Sequence, residues 1–282
     1  MKDYTVIKND NDINQFMKYL IKNNIELLAM DFESESNLHV YGEKLCLVQV
    51  FDGKRYFLID PFSISRDELA KLFEDKKIIK YFYGCESDLS LVYKQYQIKI
   101  KSVFDIKNMV DVLDLEKKGL DSVISSVLNI SSTTNKKQYQ MYNWTIRPIK
   151  SEALEYALSD VEYLFDLYNE LNKRINENNK YTELIHTIVR NRNEFDSKSI
   201  PTVFKSFEYK ELKGIEKDLF KKIYDLRDKY AQELNFPPNV VIAKEFMFKI
   251  ASKKMNIENI VFDKKVSETY RKQIISSLKE IV

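Results

Sequence analysis

Glycine and proline are scarce in this 282-residue chain, with five of each. So few punctuating residues argue against a loop-dominated or repetitive architecture. Cysteine is scarcer still: Cys46 and Cys85 sit in apolar settings, which leaves no disulfide framework and suits a reduced, cytoplasmic protein. The two histidines, His39 and His186, stand alone. No His-Glu-x-x-His helix, Cys-x-x-Cys pair or phosphate-binding glycine loop occurs, so zinc-hydrolase and nucleotide-loop chemistries find no support. No apolar run exceeds strand length, and the polar start Met1-Lys2-Asp3-Tyr4 does not read as a signal peptide; neither a transmembrane helix nor a membrane partner is expected. There is no internal repeat and no low-complexity tract.

What is present is ample apolar material: 44% hydrophobic residues and 13% aromatics, enough for a packed core and too much for wholesale disorder. At this length the chain has room for two domains or one large one. The net charge of +2 hides an asymmetry. From Val203 onward 17 Lys+Arg stand against 12 Asp+Glu, a net of +5, which leaves −3 for residues 1–202. An acidic first part and a basic second part suit a metal-binding domain followed by a polyanion-binding one, although ordinary solvated surface gives the same count.

The first half alternates strands and helices. Strands are expected at residues 4–7, 26–32, 45–51, 56–59 and 78–83, with Asp52-Gly53 as a favoured hairpin turn between the third and fourth. Asn9 to Asp12 supply N-cap candidates for a helix running to about Lys22; residues 65–73 have helical spacing, and Gly84 permits a tight turn into a helix over 86–95. Beyond Val103-Phe104 the pattern is helical over 105–113, 120–128 and 151–171. This is an α/β domain with a mixed sheet. A charged stretch from Asn191 to Ser199, closed by Pro201, reads as a linker. The expected division is residues 1–190, a linker over 191–202, and a small all-α domain over 203–282 with helices at 209–234, 241–253 and 268–281.

Acidic residues occur where the pattern calls for apolar ones. In Leu27-Leu28-Ala29-Met30-Asp31-Phe32-Glu33, the two acids are two apart and share one face of the strand, with Phe32 on the other. Side-by-side carboxylates repel unless a cation lies between them; a solvated strand end is the ordinary alternative. Asp88 falls in the first turn of its helix, where any acid complements the dipole. Tyr156 and Asp160 are four apart and share a helix face, which a core aromatic and a solvated acid would also satisfy. If the segments converge, the acids make an oxygen-rich cage for hard divalent cations, as in metal-dependent phosphodiester hydrolysis.

The order Asp-x-Glu on an early strand, Asp at a strand-to-helix turn and Tyr-x-x-x-Asp on a late helix resembles the three motifs of the DEDD exonuclease superfamily. The tyrosine places the resemblance in the branch of ribonuclease D and its eukaryotic exosome relative. Supporting matches are Tyr41-Gly42 with Leu45-Cys46-Leu47-Val48-Gln49-Val50, Leu58-Ile59-Asp60-Pro61, Val103-Phe104-Asp105, and Lys137-Gln138 with Trp144, Arg147 and Pro148. The resemblance covers about residues 4–175 and implies a ribonuclease H-like exonuclease fold. It further implies two divalent ions, Mg²⁺ or Mn²⁺, held by Asp31, Glu33, Asp88 and Asp160, with Tyr156 orienting the attacking water. RNA would then be shortened from its 3′ end to nucleoside 5′-monophosphates. One departure is Tyr83 before Gly84, where much of the family has histidine.

Phe32, Tyr83, Lys137, Gln138, Trp144 and Arg147 are candidate substrate contacts. Tyr139, Tyr142 and Trp144 beside Lys136, Lys137 and Arg147 mix rings with cations as single-strand readers do; core packing is the competing explanation. In the basic tail, Leu226-Arg227-Asp228, Ala231, Pro237-Pro238 and Val240-Val241 resemble the helical HRDC module, which would add backbone contacts to nucleic acid. The expected protein is a monomeric exoribonuclease maturing structured RNA such as tRNA precursors. A DNA exonuclease and a catalytically silent nucleic-acid-binding scaffold are the alternatives.

Overall fold

A computed structural model describes residues 2–130, 137–191 and 200–282, without the side chains of Lys137 and Gln140. The chain divides into two compact units: Met1–Ser34 with Lys44–Ser197, and Glu35–Glu43 with Lys198–Val282. The first carries β1 (Tyr4–Ile7), α1 (Asp10–Lys22), β2 (Leu27–Ser36), β3 (Glu43–Phe51), β4 (Tyr56–Ile59), α2 (Arg66–Phe73), β5 (Ile79–Phe82), α3 (Glu86–Tyr96) and β6 (Val103–Asp105). Helices α4 (Lys107–Val112), α5 (Leu120–Leu128), α6 (Lys137–Gln140), α7 (Ser151–Glu162), α8 (Leu164–Glu177) and α9 (Tyr181–Arg190) follow.

The six strands form one sheet in the order β1-β4-β3-β2-β5-β6. Strands β3 and β4 pair antiparallel, whereas β1–β4, β2–β5 and β5–β6 pair parallel, so the sheet is mixed. Gly53 takes φ +91 at the β3–β4 turn, a conformation that glycine adopts without a Cβ penalty. Period-two alternation divides β2 between two hydrophobic clusters. Leu28, Met30 and Phe32 pack with α1, α2 and α3 through Phe16, Phe73 and Val92. Ala29 faces the opposite layer, with Val110, Val161 and Leu164. Asp31 and Glu33 continue the alternation on that second side.

Three expectations are corrected, one of them the single helix expected over 209–234, which is broken between Glu211 and Gly214. The long helix expected over 151–171 is interrupted at Tyr163, which has φ −105 and ψ 7. The buried row Val161, Leu164, Leu167, Leu171 continues across the break, so periodicity alone does not reveal it. Helix α9 is absent from the sequence reading because its apolar stripe is narrow: Leu184 is buried while Ile185 and Val189 are exposed.

Lys80 lies in the middle of β5 with no solvent exposure, and its ammonium donates to the carbonyls of Asp75, Ile78 and Lys101 at 2.7, 2.9 and 3.1 Å. Burial lowers its pKa from 10.5 to about 8. That shift corresponds to a charge penalty of roughly 3 kcal/mol, against roughly 3–9 kcal/mol for leaving three buried carbonyls without donors. Lys80→Met is therefore expected to destabilise the protein by about 3 kcal/mol, read as a lowered denaturation midpoint. Between pH 8 and 10.5 the unfolded lysine holds its proton and the folded one releases it. Stability contributed at this site therefore rises with pH across that window. The wild-type minus Lys80→Met difference should grow from pH 8 to 9.5.

The second unit is all-helical: α10 (Phe207–Glu211), α11 (Gly214–Leu234), α12 (Pro238–Val241), α13 (Lys244–Ala251) and α14 (Glu268–Ile281). Its core gathers Phe220, Ile223, Tyr230, Met247, Ile250, Ile274 and Leu278. Pro238 opens α12, and Asn235 ends α11 in a left-handed conformation, as the Asn-Phe-Pro-Pro break leads one to expect. Residues Glu35–Glu43 belong here: the Tyr41 hydroxyl donates to Asp228 at 2.8 Å. His39 is structural, its ring 3.0 Å from the buried Glu35 carboxylate. Burial raises the pKa of Glu35, but hydrogen bonds from His39 and Leu38 outweigh it and the net shift is downward. Among the described residues no helix is long and apolar enough to cross a membrane.

Candidate active site

Strand β2 presents Asp31 and Glu33, and helix α7 presents Asp160. Ligand atoms of the three carboxylates all lie within 4.8 Å of one another. Asp31 and Glu33 are half-buried and Asp160 is buried. At 4.8 Å and an effective dielectric of about 20, each ionised pair repels by roughly 3–4 kcal/mol. A divalent cation relieves that repulsion, and an all-carboxylate donor set selects hard oxygen-seeking ions such as Mg²⁺ and Mn²⁺. The residues present thus fit a divalent-metal site.

Tyr156 stands one helical turn before Asp160 and is 9% exposed. Its ring stacks on Tyr139 at 4.9 Å and 21°, with Trp144 at 6.3 Å and 29° on a further side. Burial raises its pKa, and the fields of Asp160, Glu33, Asp31 and Asp121 raise it further. The phenol is therefore a fixed hydrogen-bond donor beside the acid cluster.

Asp88 is not a member of the close trio. It occupies the first turn of α3, where burial, followed by the charge of Asp105, raises its pKa to about 7. Asp105 builds that turn. Its carboxylate accepts from the amides of Gly84 at 2.8 Å, Cys85 at 3.1 Å and Lys107 at 2.9 Å. Gly84 itself takes φ +75. The sequence places Asp105 in a family-like segment but does not show that its carboxylate holds this turn, because an acid at a strand end has an ordinary explanation.

The candidate substrate contacts scatter. Arg147 is engaged within the fold: Nε and Nη2 grip Asp60 at 2.5 and 3.1 Å, Nη1 and Nη2 donate to the carbonyls of Trp144 and Cys46 at 2.7 and 2.6 Å, and the guanidinium covers the Phe62 ring at 4.5 Å. Trp144, 2% exposed, packs with Cys46, Leu47, Leu58 and Tyr156. Tyr142 meets it edge-on at 4.8 Å and accepts from the Lys150 amide at the start of α7. Trp144 is thus packed into the core, and Tyr142 is half-buried beside it. Phe32 is also a core residue, edge-on to Phe82 at 5.3 Å. The Tyr83 hydroxyl donates to the Lys118 carbonyl at 2.6 Å. Gln138 is exposed; Lys136 and the Lys137 side chain lie outside the described residues.

Residues 4–176 match a family model described as 3′-5′ exonuclease. Among curated proteins the chain is similar to human exosome complex component 10, 28% identical over 240 residues that cover 81% of this chain and 27% of that protein. It is also similar to ribonuclease D of Haemophilus influenzae, 30% identical over 150 residues, 52% of this chain and 37% of that one. The chain thus spans about a quarter to a third of these relatives' lengths. Among solved structures, the catalytic core of RRP6 from Trypanosoma brucei superposes with a TM-score of 0.77 at 21% identity, over 100% of this chain and 80% of that one. Escherichia coli RNase D superposes with a TM-score of 0.71 at 18% identity, over 99% and 75%. Both superpositions span the helical second unit, whose architecture is HRDC-like.

Proposed function

The chain belongs to the 3′-5′ exonuclease family, and from that premise we propose that it is a metal-dependent exoribonuclease of the ribonuclease D type, removing nucleotides one at a time from the 3′ ends of structured RNA. The observation that carries this is the meeting of Asp31, Glu33 and Asp160 within 4.8 Å beside a buried tyrosine. These three would hold divalent ions, with Asp88 supplying a further carboxylate from the neighbouring turn. Bound there, Mg²⁺ or Mn²⁺ would supply Lewis-acid chemistry, lowering the pKa of a water and stabilising charge on the leaving 3′ oxygen. Tyr156 keeps its proton and donates a hydrogen bond to the attacking water, fixing its direction. The stacked Tyr139 and Trp144 rings restrict that phenol to one position, so orientation is built in before substrate arrives.

The buried Cys46 and Cys85, neither of them in a disulfide, support a reducing, cytoplasmic setting; a monomer is the simplest state for such a site. The test uses matched 5′-labelled RNA and DNA oligonucleotides with Mg²⁺, Mn²⁺ or chelator. A ladder shortening from the 3′ end of RNA, with nucleoside 5′-monophosphates released and chelator abolishing both, is expected. Shortening of DNA alone would move the assignment to a DNA exonuclease. No metal-dependent shortening of either would leave a binding scaffold.

A further inference from the structure

Among the described residues strand β6 pairs only with β5 and forms one edge of the sheet. A groove of about 1010 Å³ follows that edge. One end opens on the Gly84–Glu86 turn that leads into Asp88, Val103 and Phe104 line it, and the far end reaches Lys99 and Lys101. Lys107 and, from the end of α9, Arg190 complete a cationic lining.

Among the described residues the positive charge is in excess. None of these four cations has a carboxylate partner among the described residues; Lys99 only covers the Tyr93 ring at 5.4 Å. The acids that share the groove are largely occupied. Asp111 pairs with Lys118 at 3.0 Å, and Asp105 is saturated by backbone amides. With Asp111 paired, Glu86 and the charge of Asp105 stand against four cations, an excess of two positive charges. A three-residue strand spans about 10 Å, so these cations are distributed along a lane and do not converge on a point. A ligand with regularly repeated negative charge fits a lane better than a single anion does.

We propose that this groove carries the sugar-phosphate backbone of single-stranded RNA upstream of the 3′ end. The proposal rests on the exoribonuclease reading above, and it assigns the substrate's body, as distinct from its reacting end, to a surface of the first unit. It accounts for how a centre of clustered carboxylates, which repels phosphates, retains a polyanion. The phosphates outside the metal site lie against lysine and arginine.

The test is Lys99→Ala/Lys101→Ala/Arg190→Ala in the full chain, leaving the acids, Tyr156 and Lys107 intact. Binding of a fluorescent 20-nucleotide RNA is measured by anisotropy from 50 to 200 mM salt in an Asp31→Asn background, and hydrolysis of a trinucleotide in the active background. Expected are a roughly tenfold weaker 20-mer complex and a salt slope shallower by about 2, near 0.7 for each lost phosphate contact, with trinucleotide turnover unchanged. An unaltered slope, or an equal loss on both lengths, overturns the proposal. So does a triple variant that keeps RNA binding but no longer binds polyglutamate, which would mark an acidic-peptide groove. RNA bound through these residues without any hydrolysis would instead sink the exoribonuclease reading and leave the groove standing.

Discussion

Asp160→Asn is expected to lower metal-dependent hydrolysis by at least about 10³-fold, some 4 kcal/mol of transition-state stabilisation. The change is isosteric, so packing around α7 should hold. What it removes is the charge of the most buried of three carboxylates whose ligand atoms lie within 4.8 Å. That gives the variant a second signature with the opposite sign. Without metal, one ionised member of a mutually repelling trio is gone, and the melting temperature should rise above wild type. With millimolar Mg²⁺ or Mn²⁺, wild type should gain stability by ligand linkage and the variant should gain much less. Calorimetry with chelator and with metal reads both effects. A metal-induced shift equal to wild type, or full activity, would remove Asp160 from the metal site.

Tyr156→Phe is expected to lower kcat by about 10²–10³-fold with KM and the metal-induced melting shift nearly unchanged. The substitution keeps the ring between Tyr139 and Trp144 and deletes only the hydroxyl, so lost packing cannot account for the loss. Burial and the adjacent carboxylates raise the phenol's pKa above its ordinary 10. Its protonated, donating form is thus present throughout the neutral and mildly alkaline range. The wild-type rate should not fall between pH 8 and 9.5 through this group, and the variant's profile should be parallel and lower. A raised KM with kcat preserved would show that Tyr156 binds substrate and does not orient water.

Legibility in the sequence followed the range of the interactions. Strand alternation places Asp31 and Glu33 opposite Phe32, and helical spacing places Tyr156 above Asp160; both are local rules, and both describe the structure. Whether those two elements meet is a tertiary matter, and there the family resemblance supplied what spacing could not. Asp88 shows the limit: its place in a first helical turn was readable, its separation from the trio was not. The ring-and-cation mixture around Trp144 has the same composition whether it faces solvent or stacks in a core. Arg147 shows why: its acceptors include Asp60 and Cys46, 87 and 101 positions away. Asp105 and Lys80 are unreadable for the same reason, since each acts on backbone atoms that composition does not mark.

The hydrogen bond from Tyr41 to Asp228 joins residues 187 positions apart, and it bears on how the chain acquires its structure during synthesis. At about 5–20 residues per second, roughly 10–40 seconds pass between emergence of the segment at 35–43 and of the helix that receives it. The strands on either side of that segment can pair earlier, so a nascent chain would carry it without its Asp228 partner until α11 is translated. A fragment ending before residue 203 would remain in that condition permanently. Such contacts of high sequence separation form slowly, and proteolysis of stalled ribosome–nascent chain complexes should cut near Tyr41 until α11 emerges.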